Sequence, residues 1–176
     1  EAFVNLETLY VHGNLLTHMD LGNLARLKTL KCNSNMLTRL DVTKNAELEI
    51  LDCSWNRIAD LDLKNNRELK EIKVGYNDLI TLDLSQNTAL MHFTCNSRMT
   101  EANKFCDDFR YNGRSIKGLE SLDLSNNTSL KYLLCCGKNF EGLDISRNSA
   151  LEVIFLIGMP DHCEVGVWCD NFPPEG

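Results

Sequence analysis

Leucines recur along this chain at two interleaved spacings. From Leu6 onward, Leu-x-x-Leu-x-Cys-x-x-Asn is followed by Leu-x-x-Leu-Asp-Leu-Ser-x-Asn-x-x, and the order restarts every 21 residues. The units are 6–26, 27–47, 48–68 and 69–89, then 90–129 with 19 extra residues, then 130–150 and a partial 151–159. In the first half of a unit, apolar positions 4 and 6 alternate with polar ones, which predicts a short strand with one buried face. The second half repeats the spacing, so each unit holds two extended segments separated by turns. One such coil cannot bury its own apolar side. Stacked coils can, so the periodicity predicts a solenoid with a shared core.

Asparagine marks the turns. It occupies position 9 in units one to four (Asn14, Asn35, Asn56, Asn77) and position 19 in units two to six (Asn45, Asn66, Asn87, Asn127, Asn148). A buried turn leaves backbone donors and acceptors that must be paired. A short side chain carrying both kinds of group can pair them coil after coil.

Units two and three, LKTLKCNSNMLTRLDVTKNAE and LEILDCSWNRIADLDLKNNRE, carry the motif most completely. They resemble the 21-residue class of bacterial leucine-rich repeats in which cysteine replaces one core leucine, as in the cysteine-ladder internalins and related surface proteins. The resemblance covers Leu6–Leu156 apart from the insertion. The expected fold is a mostly β, α/β-type, right-handed leucine-rich-repeat solenoid, with parallel strands on the concave face and a short helical insertion. The whole of 1–176 is then one domain, with 160–176 as a C-terminal cap. The resemblance implies display at the cell surface or outside the cell, and binding of a protein or carbohydrate partner; the location rests on the resemblance alone.

Eight cysteines suggest a disulfide framework. Position sorts them differently. Cys32, Cys53, Cys95 and Cys135 share position 6 with Val11, Val74 and Leu156, which marks them as buried small hydrophobes in a reduced ladder. Cys106, Cys136, Cys163 and Cys169 fall elsewhere, and pairings Cys106–Cys136 and Cys163–Cys169 stay open. Asp161, His162, Cys163 and Cys169 supply too few soft ligands at metal spacing for a zinc site.

Within 99–117, Thr100 caps a stretch in which Ala102, Phe105, Cys106 and Phe109 follow amphipathic helical spacing, ended by Asn112-Gly113. The outward strand positions are mostly polar in units two to five. In units six and seven they become Tyr132, Leu134, Cys136, Val153, Phe155 and Ile157. Such a patch is normally covered or functional. One reading has the insertion and the tail, with Trp168 and Phe172, cover it as a cap; the other makes Tyr132, Leu134 and Phe155 part of an open ligand groove.

The candidate ligand surface centres on Trp55 and Tyr76, at position 8 of adjacent coils. Asp52 and Lys73 lie beside them, and Tyr10, His12, Lys31 and Glu71 extend the surface. Exposed aromatics bury much area at low entropy cost on binding. The competing reading packs both rings flat against coil turns. Position 15 is Asp in six units (Asp20, Asp41, Asp62, Asp83, Asp123, Asp144). A calcium file would compensate that charge, but hydrogen bonds from nearby backbone and the hydroxyl at position 17 do so more simply.

Composition narrows the function further. With 43% hydrophobic and 24% charged residues the chain is globular rather than disordered, and a net charge of −7 disfavours a nucleic-acid partner. The longest apolar run, Leu151–Met159, is far below the ~20 residues that span a bilayer, so no transmembrane segment is expected. No histidine stands at a catalytic spacing from Ser or Cys, and no phosphate-cradling glycine loop occurs. The expectation is a non-enzymatic recognition module without cofactor or metal. Its alternative is a structural spacer within a longer solenoid, since Glu1–Asn5 fits the last five positions of a preceding unit.

Overall fold

The computed structural model describes residues 3–96, 118–136, 142–157 and 164–166. Seven parallel strands form one sheet: β1 (Thr8–Tyr10), β2 (Thr29–Lys31), β3 (Ile50–Asp52), β4 (Glu71–Lys73), β5 (His92–Asn96), β6 (Tyr132–Cys136) and β8 (Val153–Ile157). They stack in chain order and mark about six turns of a solenoid. Equivalent repeat positions are Cα partners: Leu9 with Leu30, Leu30 with Leu51, Leu51 with Ile72, and Ile72 with Phe93. The register survives the insertion, because Phe93 pairs with Leu133 and Leu133 with Ile154.

The core follows from this register. Position 4 (Leu30, Leu51, Ile72, Phe93, Leu133) and position 1 (Leu27, Leu48, Leu69, Leu90, Leu130) are fully buried. Position 6 completes the strand side of the core with Cys32, Cys53, Val74, Cys95 and Cys135, all buried. Burial pushes the Cys32 thiol up to about 12 and Cys53 well above the ordinary thiol value, so both stay protonated. In coil one, which has a neighbour on one side only among the described residues, Leu6, Leu9, Val11, Leu16 and Met19 are partly buried.

In the second half of each unit, expected as an extended segment, little of the backbone pairs as strand among the described residues. Positions 14 and 16 are buried as expected, for example Leu40 with Val42 and Leu61 with Leu63. Among the described residues, however, this half is a paired strand only in unit six, where β7 (Gly142–Asp144) lies parallel to β9 (Glu164–Gly166). Elsewhere among the described residues the segment carries no strand assignment and runs into tight turns, closed by bonds such as Asn45 N–H to Val42 O (3.0 Å) and Leu48 N–H to Asn45 O (3.1 Å). The helix expected within 99–117 and the proposed partners Cys106, Cys163 and Cys169 lie outside the described residues. So do Trp168 and Phe172, while β9 falls inside the 160–176 segment.

Two asparagine ladders hold the turns. The amide of Asn56 donates to Cys32 O and Cys53 O, both at 3.0 Å, and its Oδ1 accepts the Leu37 N–H at 3.0 Å. Asn35 and Asn77 repeat the arrangement one coil to either side. Position 19 is different. The amide of Asn66 donates to Val42 O (2.9 Å) and Asn45 O (2.8 Å), but among the described residues Oδ1 of Asn45, Asn66, Asn87, Asn127 and Asn148 finds no hydrogen-bond donor. The first ladder therefore satisfies donors and acceptors together, the second carbonyls only.

Asn56→Ala removes the bonds to Cys32 O, Cys53 O, Ser54 O and the Leu37 N–H and leaves buried backbone groups unpaired, so it is expected to cost about 3 kcal/mol. Asn14→Ala, at an exposed position with its amide on Val11 O and His12 O, should cost well under half as much. Urea unfolding of the two variants checks the difference.

Candidate recognition surface

The outward side chains of the sheet fall into files, because every third and fifth repeat position is a Cα partner of the next. One file runs Tyr10, Lys31, Asp52, Lys73, Thr94, Leu134, Phe155. Its neighbour runs Thr8, Thr29, Ile50, Glu71, His92, Tyr132, Val153. Four of the expected ligand residues thus stand in a single row. Lys31 lies 5.3 Å from the Tyr10 ring centre, a cation–π contact. Lys73 pairs with Glu71 at 2.7 Å, and that hydrogen bond holds its ammonium above the usual lysine range. Asp52 is tied down by Ser54, whose hydroxyl donates at 2.6 Å and whose N–H donates at 3.1 Å. His12 lies just beyond β1, exposed, with its ring 6.4 Å from Tyr10.

Trp55 and Tyr76 stack against each other, with ring centres 3.8 Å apart and planes 15° from parallel. Both occupy the turn that follows the strand. Gly13 (φ 69°), Ser34 (φ 58°), Trp55 (φ 57°) and Tyr76 (φ 57°) share position 8, so each of the first four coils turns there through left-handed backbone. The turn is locked by its neighbours: Trp55 N–H donates to Gly75 O (2.9 Å), and Trp55 O accepts Asn35 N–H (3.1 Å). Glycine fits this conformation at least cost, while a side chain adds strain. Exposure divides the pair. Tyr76 is buried, with 8% of its surface exposed, and Trp55 is half-buried. The expected rim of two exposed aromatics is corrected here to one accessible ring, that of Trp55, backed by a buried Tyr76.

Toward β8 the same face turns apolar. Tyr132 lies between His92 (6.2 Å) and Phe155 (6.1 Å), all three rings tilted. Phe155 remains 46% exposed and Val153 39%, while Leu134 and Tyr132 are half-buried. His92, exposed beside Tyr132, is a residue of this face that the sequence analysis did not single out. Forty residues separate it from Tyr132, its register partner, because the insertion stretches that unit. Applying the repeat register across the insertion was the signal that could have placed it.

On another side of the solenoid, the position-15 aspartates each accept a backbone N–H two residues ahead: Gly22, Thr43, Lys64, Ser85, Ser125 and Ser146 donate at 2.8–3.1 Å. Hydrogen bonds from Thr43, Lys64, Ser85, Ser125 and Ser146 hold the carboxyls of Asp41, Asp62, Asp83, Asp123 and Asp144 below the ordinary value. These residues therefore build turns, as the simpler expectation had it. A third file, at position 2, alternates charge and forms Glu7–Lys28 (3.1 Å), Glu49–Lys70 (2.7 Å) and Lys131–Glu152 (2.9 Å) pairs. Exposed pairs of this kind contribute little individually.

No protein-family model matches the chain, and no characterised protein matches it in sequence. Solved structures do. The functional domain of InlJ from Listeria monocytogenes, which includes a cysteine ladder, superposes with a TM-score of 0.72 at 27% identity, over 88% of this chain and 30% of that one. A leucine-rich-repeat protein of Leptospira interrogans gives 0.66 at 17% identity, over 89% and 38%. The internalin InlF of Listeria monocytogenes gives 0.62 at 18%, over 89% and 49%. The chain thus spans about a third to a half of the length of these neighbours. Among the described residues no helix is long and apolar enough to cross a membrane.

Two measurements follow from the geometry. Because the aspartates titrate lower in the fold than in the unfolded chain, the unfolded state binds more protons in acid, and stability falls as pH drops. The thermal midpoint should fall from about pH 4, near the free Asp value, downward, and the fall should be shallower in Asp41→Asn/Asp83→Asn/Asp123→Asn, which keeps the acceptors. Second, Trp55→Gly relieves left-handed strain that Trp55→Ala retains, so in urea unfolding the Gly variant should be the more stable by about 1 kcal/mol. The architecture is that of the internalin-like bacterial leucine-rich-repeat proteins, cysteine ladder included.

Proposed function

We propose that this domain is a non-catalytic recognition module that binds a protein or glycan partner through the exposed face of its parallel sheet, the side expected to be concave. Internalin-like solenoids typically serve protein interaction, and the proposed setting is the bacterial cell surface or the extracellular space. The observation that carries the reading is position 8. Gly13 and Ser34 fill this left-handed turn in the first two coils, yet the next two place Trp55 and Tyr76 there, against backbone preference. Strain retained in this way is characteristic of functional positions. Trp55 supplies the accessible ring, Tyr76 holds it flat, and Asp52, Lys73 and Glu71 add charge of both signs alongside. Tyr10, Lys31 and His12 extend the surface toward β1. A broad face of this composition suits a macromolecule better than a small molecule, since its anchors lie in files and not in an enclosed pocket.

A second reading places the partner at Tyr132, Leu134 and Phe155, favoured by the exposure of Phe155. A third makes the domain a spacer that positions another part of a longer protein. Its support is the fraction of the neighbours' length that the chain covers.

A glycan array and a pull-down with the wild-type domain, Trp55→Ala/Tyr76→Ala and Phe155→Asp separate these readings. At least a tenfold loss of binding in the aromatic double variant, with folding retained, is expected from removing a central anchor. Equal binding by the double variant would refute the Trp55 site, and selective loss in Phe155→Asp would move the site to the apolar end. Absence of any ligand for the wild type would favour the spacer.

A further inference from the structure

The cysteine ladder is not uniform. Around Cys32 and Cys53 the paired strands are three residues long, Thr29–Lys31 and Ile50–Asp52, and the cysteines lie just past their ends. β5 and β6 run two residues further, and Cys95 and Cys135 sit inside them as direct Cα partners. Neighbouring parallel strands lie ~4.8 Å apart, within the Cα range of about 4.4–6.8 Å that a disulfide bridges. The two Sγ atoms approach to 2.8 Å, under an ångström more than the ~2.05 Å bond. Both side chains are buried in the core.

The chain connecting this pair differs as well. Equivalent cysteines in regular coils are 21 residues apart, whereas Cys95 and Cys135 are separated by 40 because the insertion intervenes. The longer connection makes pairing of coils five and six entropically more costly than any regular step. A covalent tie at this junction restricts the unfolded chain most where closure is hardest.

We infer that Cys95 and Cys135 form a disulfide that staples coil five to coil six across the insertion, while Cys32 and Cys53 remain thiols. The oxidant is a low-molecular-weight disulfide, met before the coils close or during local opening. One cysteine thiolate attacks it, forming a mixed disulfide and releasing one small thiolate; the second cysteine thiolate then displaces the other. Two protein S–H bonds and the oxidant's S–S bond are lost, and one protein S–S bond and two small-molecule thiols are gained. Cys32 and Cys53 are the internal control. They too are buried and one coil apart, but they lie just past the ends of their paired strands.

The test is peptide mapping of the whole chain, refolded in a glutathione redox mixture, then alkylated in denaturant without reductant and cut with trypsin. Cleavage after Lys73, Arg98, Lys131 and Lys138 leaves Cys95 alone in peptide 74–98, and puts Cys135 beside Cys136 in peptide 132–138. Expected is a linked 74–98/132–138 pair that persists in Cys136→Ser and disappears in Cys135→Ser, with Cys32 and Cys53 alkylated. Full alkylation of Cys95 and Cys135 in folded wild type would overturn the inference. A link that survives Cys135→Ser but is lost in Cys136→Ser would overturn it too, since the bond would then belong to Cys136. As a second readout, reduction in denaturant followed by refolding with reductant should lower the thermal midpoint of the wild type by several degrees. It should leave that of Cys95→Ala unchanged; an equal shift in both also counts against the staple.

Discussion

The structure depends on pairing buried backbone groups at every turn, and the position-9 asparagines do this. A solenoid coil bends sharply at the end of its strand, and the bend would leave amides and carbonyls facing the core with no water to meet them. Asn35, Asn56 and Asn77 each donate to carbonyls of their own coil and of the coil before, and return one acceptor to the coil before. Each bond to the previous coil fixes spacing and register at once. The leucine stacks are thereby held at strand separation, and the hydrophobic core becomes continuous instead of a set of separate layers.

That register is also what makes a surface. Side chains 21 residues apart in sequence become neighbours, so Tyr10, Lys31, Asp52 and Lys73 stand in line without any of them determining the fold. The core positions repeat closely, while the outward positions are free to differ from coil to coil. This separation lets one architecture carry many specificities. The aromatic pair at position 8 is the exception, because it is placed by a turn in which the backbone itself is constrained. Charge at position 2 and position 15 is absorbed locally, by ion pairs and by turn hydrogen bonds, and so leaves the strand face as the variable surface.

The repeat length, the buried positions and the role of the ladder asparagines were legible in the sequence because they are consequences of period. A residue that recurs every 21 positions in a stacked coil meets its own equivalent, so its environment can be read from its column. The column logic also sorted Cys32, Cys53, Cys95 and Cys135 into the core. It weakened wherever the period was interrupted: His92 was not connected with Tyr132, and the closeness of the Cys95 and Cys135 sulfurs was not visible. Whether the second extended segment pairs was not legible, since alternation marks extended backbone but not whether a neighbour lies close enough to pair.

By itself, then, the sequence determined a stacked coil of leucines, cysteines and asparagines, because periodic burial leaves few other ways to satisfy both apolar surface and backbone polarity. The tertiary structure alone decided how far each strand pairs, that Tyr76 is buried while Trp55 stays accessible, and that both turn through left-handed backbone. These depend on how closely one particular coil approaches the next, a distance set by side chains on two coils together and by no single unit of the repeat.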